Sequence, residues 1–270
     1  VKNGYIMLCS NIIFLIMRFC VKKKNLLLFC TVIVFVNGFI SCDKSTDSDN
    51  SGNDNGELGG QTDIDLNKIG TNYDVFFPFP ERDRIKDSTI VTKNENGLVT
   101  YKHRSVFDTV FFRALEKSLG LNEFPSTLRK AALDMYLKKY NATLDSTDKM
   151  NIKLTAEFKA RVTSEGIQEY FSSKNDYTKP KTIVAYSWNV GLKYQFTDAE
   201  GGVITREVVS KSVTDDYPLG FMFIKVIQVE ETKKDDPIVE KMTWIANHKF
   251  GLVGIHIKMK NGKELQLGIF

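Results

Sequence analysis

The sequence predicts an α+β domain, an N-terminal antiparallel helix pair packed on a curved, mostly antiparallel β-sheet or partial barrel. Two runs of strict alternation carry the sheet. Met150, Ile152, Leu154, Ala156, Phe158, Ala160 and Val162 alternate with polar residues, and Val184, Tyr186, Trp188, Val190, Leu192, Tyr194 and Phe196 recur at every second position. A period of two sets one face of a strand in a core and the other in water. Strands well beyond the usual length of about six residues need a strongly twisted or closed sheet. The helix pair rests on a change to helical spacing between Ser105 and Lys139.

The elements follow in order. Residues 73–80, Tyr-Asp-Val-Phe-Phe-Pro-Phe-Pro, are apolar, but Pro78 and Pro80 bar them from a central strand. They are expected to cross a core as an extended lid; an aromatic binding loop is the rival. Thr89–Thr92 and Leu98–Lys102 flank Asn94-Glu95-Asn96-Gly97, a hairpin signal. Ser105 with Asp108 gives a capping-box pattern, after which Phe107, Val110, Phe111, Ala114, Leu115 and Ser118 share one helical face and Gly120 closes the helix. A second helix begins at Ser126 or Thr127, carries Leu128, Ala132, Met135 and Tyr136, and ends near Lys138 and Lys139, which suit its negative C-terminus. After the two alternating runs, strands are expected at 203–213, 221–231, 252–259 and 264–269. Residues 238–246 could form a helix after Asp236-Pro237 or a strand, and strand is preferred.

The last hairpin allows a register argument. A two-residue Asn261-Gly262 turn would set Lys258 opposite Leu265 and mix the faces. A three-residue loop, Lys260-Asn261-Gly262 with a left-handed Gly262, pairs Lys258 with Glu264, Ile257 with Leu265, His256 with Gln266 and Ile255 with Leu267, separating apolar from polar.

Charge and cysteine usage divide the chain. The whole sequence carries +4. Residues 1–42 hold five of its 37 bases (Lys2, Arg18, Lys22, Lys23, Lys24) and no acid, so the rest has 32 bases against 33 acids, or −1. No basic stripe interleaved with aromatics follows, so nucleic acid is not an expected partner. The cysteines are Cys9, Cys20, Cys30 and Cys42. Beyond Cys42 no disulfide can form, and the fold must rest on its core.

Arg18 and Lys22–Lys24 precede an unbroken apolar run, Leu26–Val36, and then Asn37, Gly38 and Phe39-Ile40-Ser41-Cys42. A positive start, a short apolar centre and a small residue before the cut make a secretory signal. The apolar run falls short of the roughly 20 residues a spanning helix needs. The end of this leader resembles the lipobox of bacterial lipoproteins: Ile40 and Ser41 fit it, while Phe39 departs from the usual Leu. The resemblance implies cleavage before Cys42 and a diacylglycerol on its thiol. Residues 1–16 are expected to lie upstream of the true start, Met17. Their alternative, a second membrane segment, would need Arg18–Lys24 as a loop between two very short spans. The expected organisation is a signal peptide over 1–41, a lipidated cysteine and acidic linker over 42–61, and one α+β domain over 62–270.

The linker holds one apolar residue and five acids (Asp43, Asp47, Asp49, Asp54, Glu57) against Lys44. Such a stretch cannot offset its ordering entropy. It resembles the acidic segment after the lipidated cysteine in surface-exposed lipoproteins of Bacteroidetes, which implies display on the outer leaflet. Asp43 directly after the cysteine supports the opposite reading, since enterobacterial lipoproteins use it for inner-membrane retention. Asp47-x-Asp49-x-Ser51-Gly52 starts like an EF-hand loop, but Leu58 stands where a bidentate Glu is required. Asp87-Ser88-Thr89, Asp108-Thr109-Val110 and Asp145-Ser146-Thr147 resemble the Bacteroidetes O-glycosylation motif, with Ser146 in an expected loop the best placed.

Catalytic motifs are absent: no Gly-x-Ser-x-Gly, His-Glu-x-x-His, phosphate loop or Gly-x-Gly-x-x-Gly occurs. His103, His248 and His256 lack metal-ligand spacing and are expected at a solvated surface. Glu230-Glu231 and Asp235-Asp236 are expected in hydrated turns, and Trp188 in the core rather than on a sugar. The expectation is an exported, lipid-anchored, non-enzymatic binding or structural module of the outer membrane, surface-exposed, with periplasm-facing as the alternative. No cofactor, metal or catalytic residue is assigned; the only site is lipidation at Cys42. Its partner beyond the membrane is left open between a glycan and an envelope protein. The rival functions are a carrier of an apolar ligand in a sheet concavity and an envelope hydrolase with spatially assembled carboxylates.

Overall fold

The computed structural model describes residues 56–269. Cys42, the leader and most of the acidic linker lie outside them. Of the described residues 47% are strand and 18% helical, so the fold is mostly β. This corrects the α+β expectation. Two seven-stranded antiparallel sheets enclose the core, where one curved sheet or partial barrel was expected. The two α-helices follow four strands instead of leading the fold.

The first sheet runs β1 (Asn72–Tyr73), β3 (Ile85–Glu95), β4 (Leu98–Phe107), β6 (Ile152–Thr163), β7 (Gly166–Glu169) and β8 (Lys181–Ala185), with β5 (Ala142–Asp145) also paired to β6. The second runs β2 (Val75–Phe76), β16 (Glu264–Ile269), β15 (Gly251–Met259), β14 (Val239–Asn247), β13 (Ile227–Lys233), β10 (Val203–Lys211) and β9 (Lys193–Thr197). Helices α1 (Thr109–Ser118) and α2 (Ser126–Lys139) sit between β4 and β5 in the chain. Their Phe111, Leu115, Ala132, Leu133 and Tyr136 join Val91, Val99 and Phe158 of the first sheet and Trp244, Ile255 and Leu267 of the second in one core. No described helix is long and apolar enough to cross a membrane.

The lid expectation for 73–80 is met in an unforeseen way. β1 pairs with β3, and β2, one residue later, pairs with β16, so this segment staples the edges of both sheets. Tyr73 and Phe77 are buried, and Phe77 meets Phe111 edge-on at 5.2 Å. The Asn96-Gly97 turn, both residues at positive φ (53° and 87°), joins strands longer than the sequence suggests. The reason is chemical: Asp87, Thr89, His103 and Ser105 occupy inward positions, so the alternation there is not apolar against polar. Ser105 therefore belongs to β4 and caps nothing. Asp108 caps α1 alone, accepting from the amides of Val110 and Phe111 at 2.9 Å each. Gly120, at φ 56°, ends the turn after α1 as expected.

The run 184–196 is a second correction. It is two strands in different sheets, β8 and β9. Tight turns closed by Trp188 N–H to Ala185 O (3.0 Å) and Leu192 N–H to Asn189 O (3.1 Å), with Gly191 at φ 89°, carry the chain across. The parity of the apolar positions survives the crossing, so the sequence looks uninterrupted. Likewise 221–231 divides into β12 (Met222–Ile224), paired with β11 (Tyr217–Leu219), and β13. That small hairpin leaves Phe221 and Phe223 exposed. Residues 238–246 are strand, as preferred. The closing hairpin has the derived register residue for residue, with Gly262 at φ 79°.

Candidate functional site: two sealed polar clusters and an open cationic face

The fold brings titratable groups together in two buried clusters. In the first sheet, register places Thr89 opposite His103 and Asp87 opposite Ser105 on the inner face. Thr89 Oγ1 lies 3.0 Å from His103 Nδ1, and Ser105 Oγ lies 2.7 Å from His103 Nε2 while donating to Asp87 Oδ1. Since the Ser105 proton goes to Asp87, its oxygen accepts from His103 Nε2–H. Burial holds His103 down at about 3, so the imidazole is neutral and its Nδ1 accepts from Thr89. Burial lifts Asp87 to about 7 against the Ser105 hydrogen bond, with Asp74 adding to the rise. His103 is thus a core residue, which corrects its expected surface position. A hydrolytic triad needs histidine to accept the serine proton; here histidine donates to serine, and neither imidazole nor carboxyl reaches solvent.

The second cluster joins the sheets. Arg206 on β10 donates through Nε to Glu231 on β13 (2.7 Å), through Nη2 to Glu169 on β7 (3.0 Å), and through Nη1 to Thr182 O of β8 (2.8 Å) and Tyr194 Oη (3.3 Å). Its guanidinium lies 5.0 Å from the Phe196 ring centroid. Trp244 Nε1–H donates to Glu231 at 3.1 Å, and Ser172 N–H to Glu169 at 2.9 Å. Burial alone would raise Glu231, but the Arg206 charge, helped by Lys139, carries it below the ordinary range. Glu231 is therefore not in a hydrated turn. Neither is Asp236, which is buried and accepts from Ile238 and Val239 amides (3.0 and 2.8 Å). A signal for this cluster was present: Arg206 and Glu231 stand on the apolar phase of their strands, after Ile204 and after Ile227 and Val229. Opposite charges on inward positions of neighbouring strands mark a buried pair.

The remaining sequence candidates stay apart. His248 is exposed and edge-on to the Tyr186 ring; His256 faces Glu264 at 3.2 Å. Trp188 is half-buried against Tyr194, with ring centroids 5.1 Å apart. Ser88 donates to Asn72 on β1 (2.6 Å), Thr109 opens α1, and Ser146 is half-buried after β5, beside the turn where Asp145 binds Thr147. Among the described residues no group of three His, Cys, Asp or Glu side chains is placed to hold a metal.

Among the described residues two small spaces measure about 10 and 20 Å³, the first lined by Tyr73, Tyr101, Leu252 and the exposed His248 and Lys249, the second by Tyr136, Glu231, Asp236, Lys139, Lys233 and Lys241. Each has room for about one water. The large concavity, about 650 Å³, is on the outer face of β3 and β4, lined by Lys86, Asp87, Ser88, Ile90, Thr92, Lys102, Arg104 and Val106, with the Asp87 carboxyl itself turned inward. Register sets Lys86 against Val106, Ser88 against Arg104 and Ile90 against Lys102, so Lys102 and Arg104 flank exposed Ile90 and Lys86 lies beside Ser88 and Val106. Side chains two apart on one strand lie about 7 Å apart. Lys153, Lys159 and Arg161 extend the same face on β6 and meet Asp145, Glu95 and Glu57 at 4.0, 3.7 and 3.4 Å. Lys86, Lys102 and Arg104 have no ion-pair partner among the described residues, although Glu157 stands across from Lys102.

Residues 56–61, linker by composition, lie on this face too. Gln168 accepts from Leu58 N–H (2.9 Å) and donates to Gly56 O (2.8 Å), and Arg161 Nε donates to Leu58 O (2.9 Å). Gln61 N–H donates to Ser164 Oγ at 2.9 Å. No protein-family model, no curated protein and no solved structure matches the chain.

Proposed function

We propose that this chain is an exported lipoprotein, anchored through Cys42 to the outer membrane and displayed at the cell surface, whose folded part is a non-enzymatic binding or structural module. The leader and acidic linker support the anchoring. The observation that carries the module reading is the sealing of both convergent clusters. The buried groups arranged like catalytic ones are hydrogen-bonded to one another under a packed core, with Asp87 Oδ2 left unpartnered among the described residues, while the open concavity carries cations around an apolar centre. The two small spaces described above favour this reading over an apolar-ligand carrier.

Metabolic labelling with a tagged palmitate tests the anchoring. The chain should take up label and sediment with membranes, and Cys42→Ala should lose both. Label retained in Cys42→Ala would sink the lipoprotein reading. Protease treatment of intact cells should release the domain, and a protected domain would contradict outward display.

A further inference from the structure

We propose that the outer face of the first sheet, centred on Lys86, Lys102 and Arg104, is the surface that this protein lays against the anionic lipid headgroups of the membrane to which it is anchored. The inference rests on the lipoprotein reading and adds an orientation and a lipid chemistry to it.

Three observations converge. First, the described chain begins on this face: Gly56 and Leu58 are clamped by Gln168 and Arg161, so the linker leaves from beside β6 and β7. Only thirteen residues, 43–55, separate Cys42 from this edge of the face, so a short chain ties the face to the anchor. Second, charge on this face is unbalanced. Lys153, Lys159 and Arg161 are matched by acids, whereas Lys86, Lys102 and Arg104 face only Glu157, across from Lys102, and leave the face net positive. The residues after Cys42 carry −1 in total, so bulk charge would not draw the domain to an anionic surface. Attraction must come from this local asymmetry. Third, the excess cations surround Ile90, which is 41% exposed, and Val106, with Ser88 and Thr92 beside them. Cations flanking an apolar side chain in a shallow recess suit a headgroup layer, where phosphates meet the ammonium and guanidinium groups.

The geometry also fixes the ligand chemistry. Arg104 can grip a phosphate through two donors, while Lys86 and Lys102 act as point charges on neighbouring headgroups. Basic residues near an anionic leaflet contribute about fivefold in partitioning each, and the effect is screened by salt.

The test uses the unacylated mature chain with Cys42→Ser, so that binding cannot come from the anchor. It is mixed with sedimentable vesicles of phosphatidylcholine alone or with 30 mol % phosphatidylglycerol, a composition chosen for its anionic phosphate, on the order of −30 mV surface potential. Partitioning should be measurable on the anionic vesicles, absent on the neutral ones, and weakened as salt rises. The triple variant K86Q/R104Q/K102Q should lose about a hundredfold, following the per-residue effect. The control K234Q/K260Q, both exposed and off this face, should bind like the parent. Circular dichroism on each variant checks folding. Equal partitioning on both vesicle types, or a folded triple variant that binds like the control, would overturn the proposal. Binding that is abolished equally on vesicles by a soluble polyanion such as dextran sulfate at low charge ratio, with higher affinity for that polyanion than for the vesicles, would reassign the face to a polyanionic glycan and overturn the lipid assignment. Palmitate labelling at Cys42 is independent of all these outcomes, so failure of the anchor and failure of the face are told apart.

Discussion

The two buried polar clusters answer one problem differently. In the β3–β4 hairpin, Asp87 and His103 are sealed under the core and handled by neutralisation, with the acid's affinity for its proton raised and the base's lowered. At the junction of the sheets, Arg206 and Glu231 are buried too but stay ionised, because the two opposite charges meet at 2.7 Å, with Glu169 3.0 Å from the same guanidinium. Burial penalises charge in both places. What differs is whether a partner of opposite charge lies within reach. His103 has Asp87 at 3.4 Å, but with Ser105 inserted between them neither needs to ionise. The first arrangement holds one sheet together; the second holds two sheets together through the only fully buried arginine described.

The largest expected effect comes from breaking the ionised cluster. Arg206→Met should cost about 3–5 kcal/mol, because two carboxylates are left buried without their counter-charge. Urea denaturation reads this directly. Adding Glu169→Gln and Glu231→Gln to Arg206→Met should recover most of the loss; a triple variant as unstable as the single one would show that packing, not charge, sets the cost.

The neutralised cluster should reveal itself through pH. Folded Asp87 keeps its proton up to about 7, whereas the unfolded carboxyl loses it above 3.8, so its contribution to stability falls as pH rises between these values. Folded His103 stays neutral down to about 3, whereas the unfolded imidazole is charged below 6.5, so its contribution rises with pH over that window. From pH 4 to 6.5 the two slopes oppose, and the parent should be nearly flat. Asp87→Asn should then gain stability with rising pH and His103→Gln should lose it, each by at most about 1.4 kcal/mol per pH unit. Parallel curves for parent and variants would remove the distinction between the clusters.

The smallest effect sharpens it. Trp244→Phe removes one donor from Glu231, which still has Arg206, and leaves a small cavity where part of the indole packed. A loss of about 1–2 kcal/mol in chemical denaturation is expected, with no new pH slope below neutrality. A cost above that of Arg206→Met would mean that tryptophan, not arginine, anchors the junction.

The same contrast explains what was legible in the sequence. Where a strand buries apolar residues, periodicity and turn chemistry suffice: the closing hairpin's register followed from keeping Ile255, Ile257, Leu265 and Leu267 on one face. The start of the second helix after Pro125 and the strand over 238–246 were legible for similar reasons. Where a strand buries polar residues, the pattern misleads. Inward Asp87, Thr89, His103 and Ser105 shortened the expected hairpin, lent Ser105 to a cap it does not make and sent His103 to the surface. Alternation also carries no information about which sheet a strand joins, and that is why β8 and β9 looked like one strand and two sheets looked like one. The cationic face was invisible because its members, Lys86, Lys102 and Arg104, are scattered over two strands and adjoin only through the register of β3 on β4.

The staple at Asn72–Phe76 has a consequence for when the molecule can finish folding. β1 finds its partner within twenty residues, but Val75 and Phe76 wait for Ile269 and Gly268, nearly two hundred residues further along. Contacts of such separation form late. A chain emerging from its N-terminus therefore carries an open seam between the sheets until the last strand appears, and the segment that would follow a membrane tether is also the clasp that closes the core behind it.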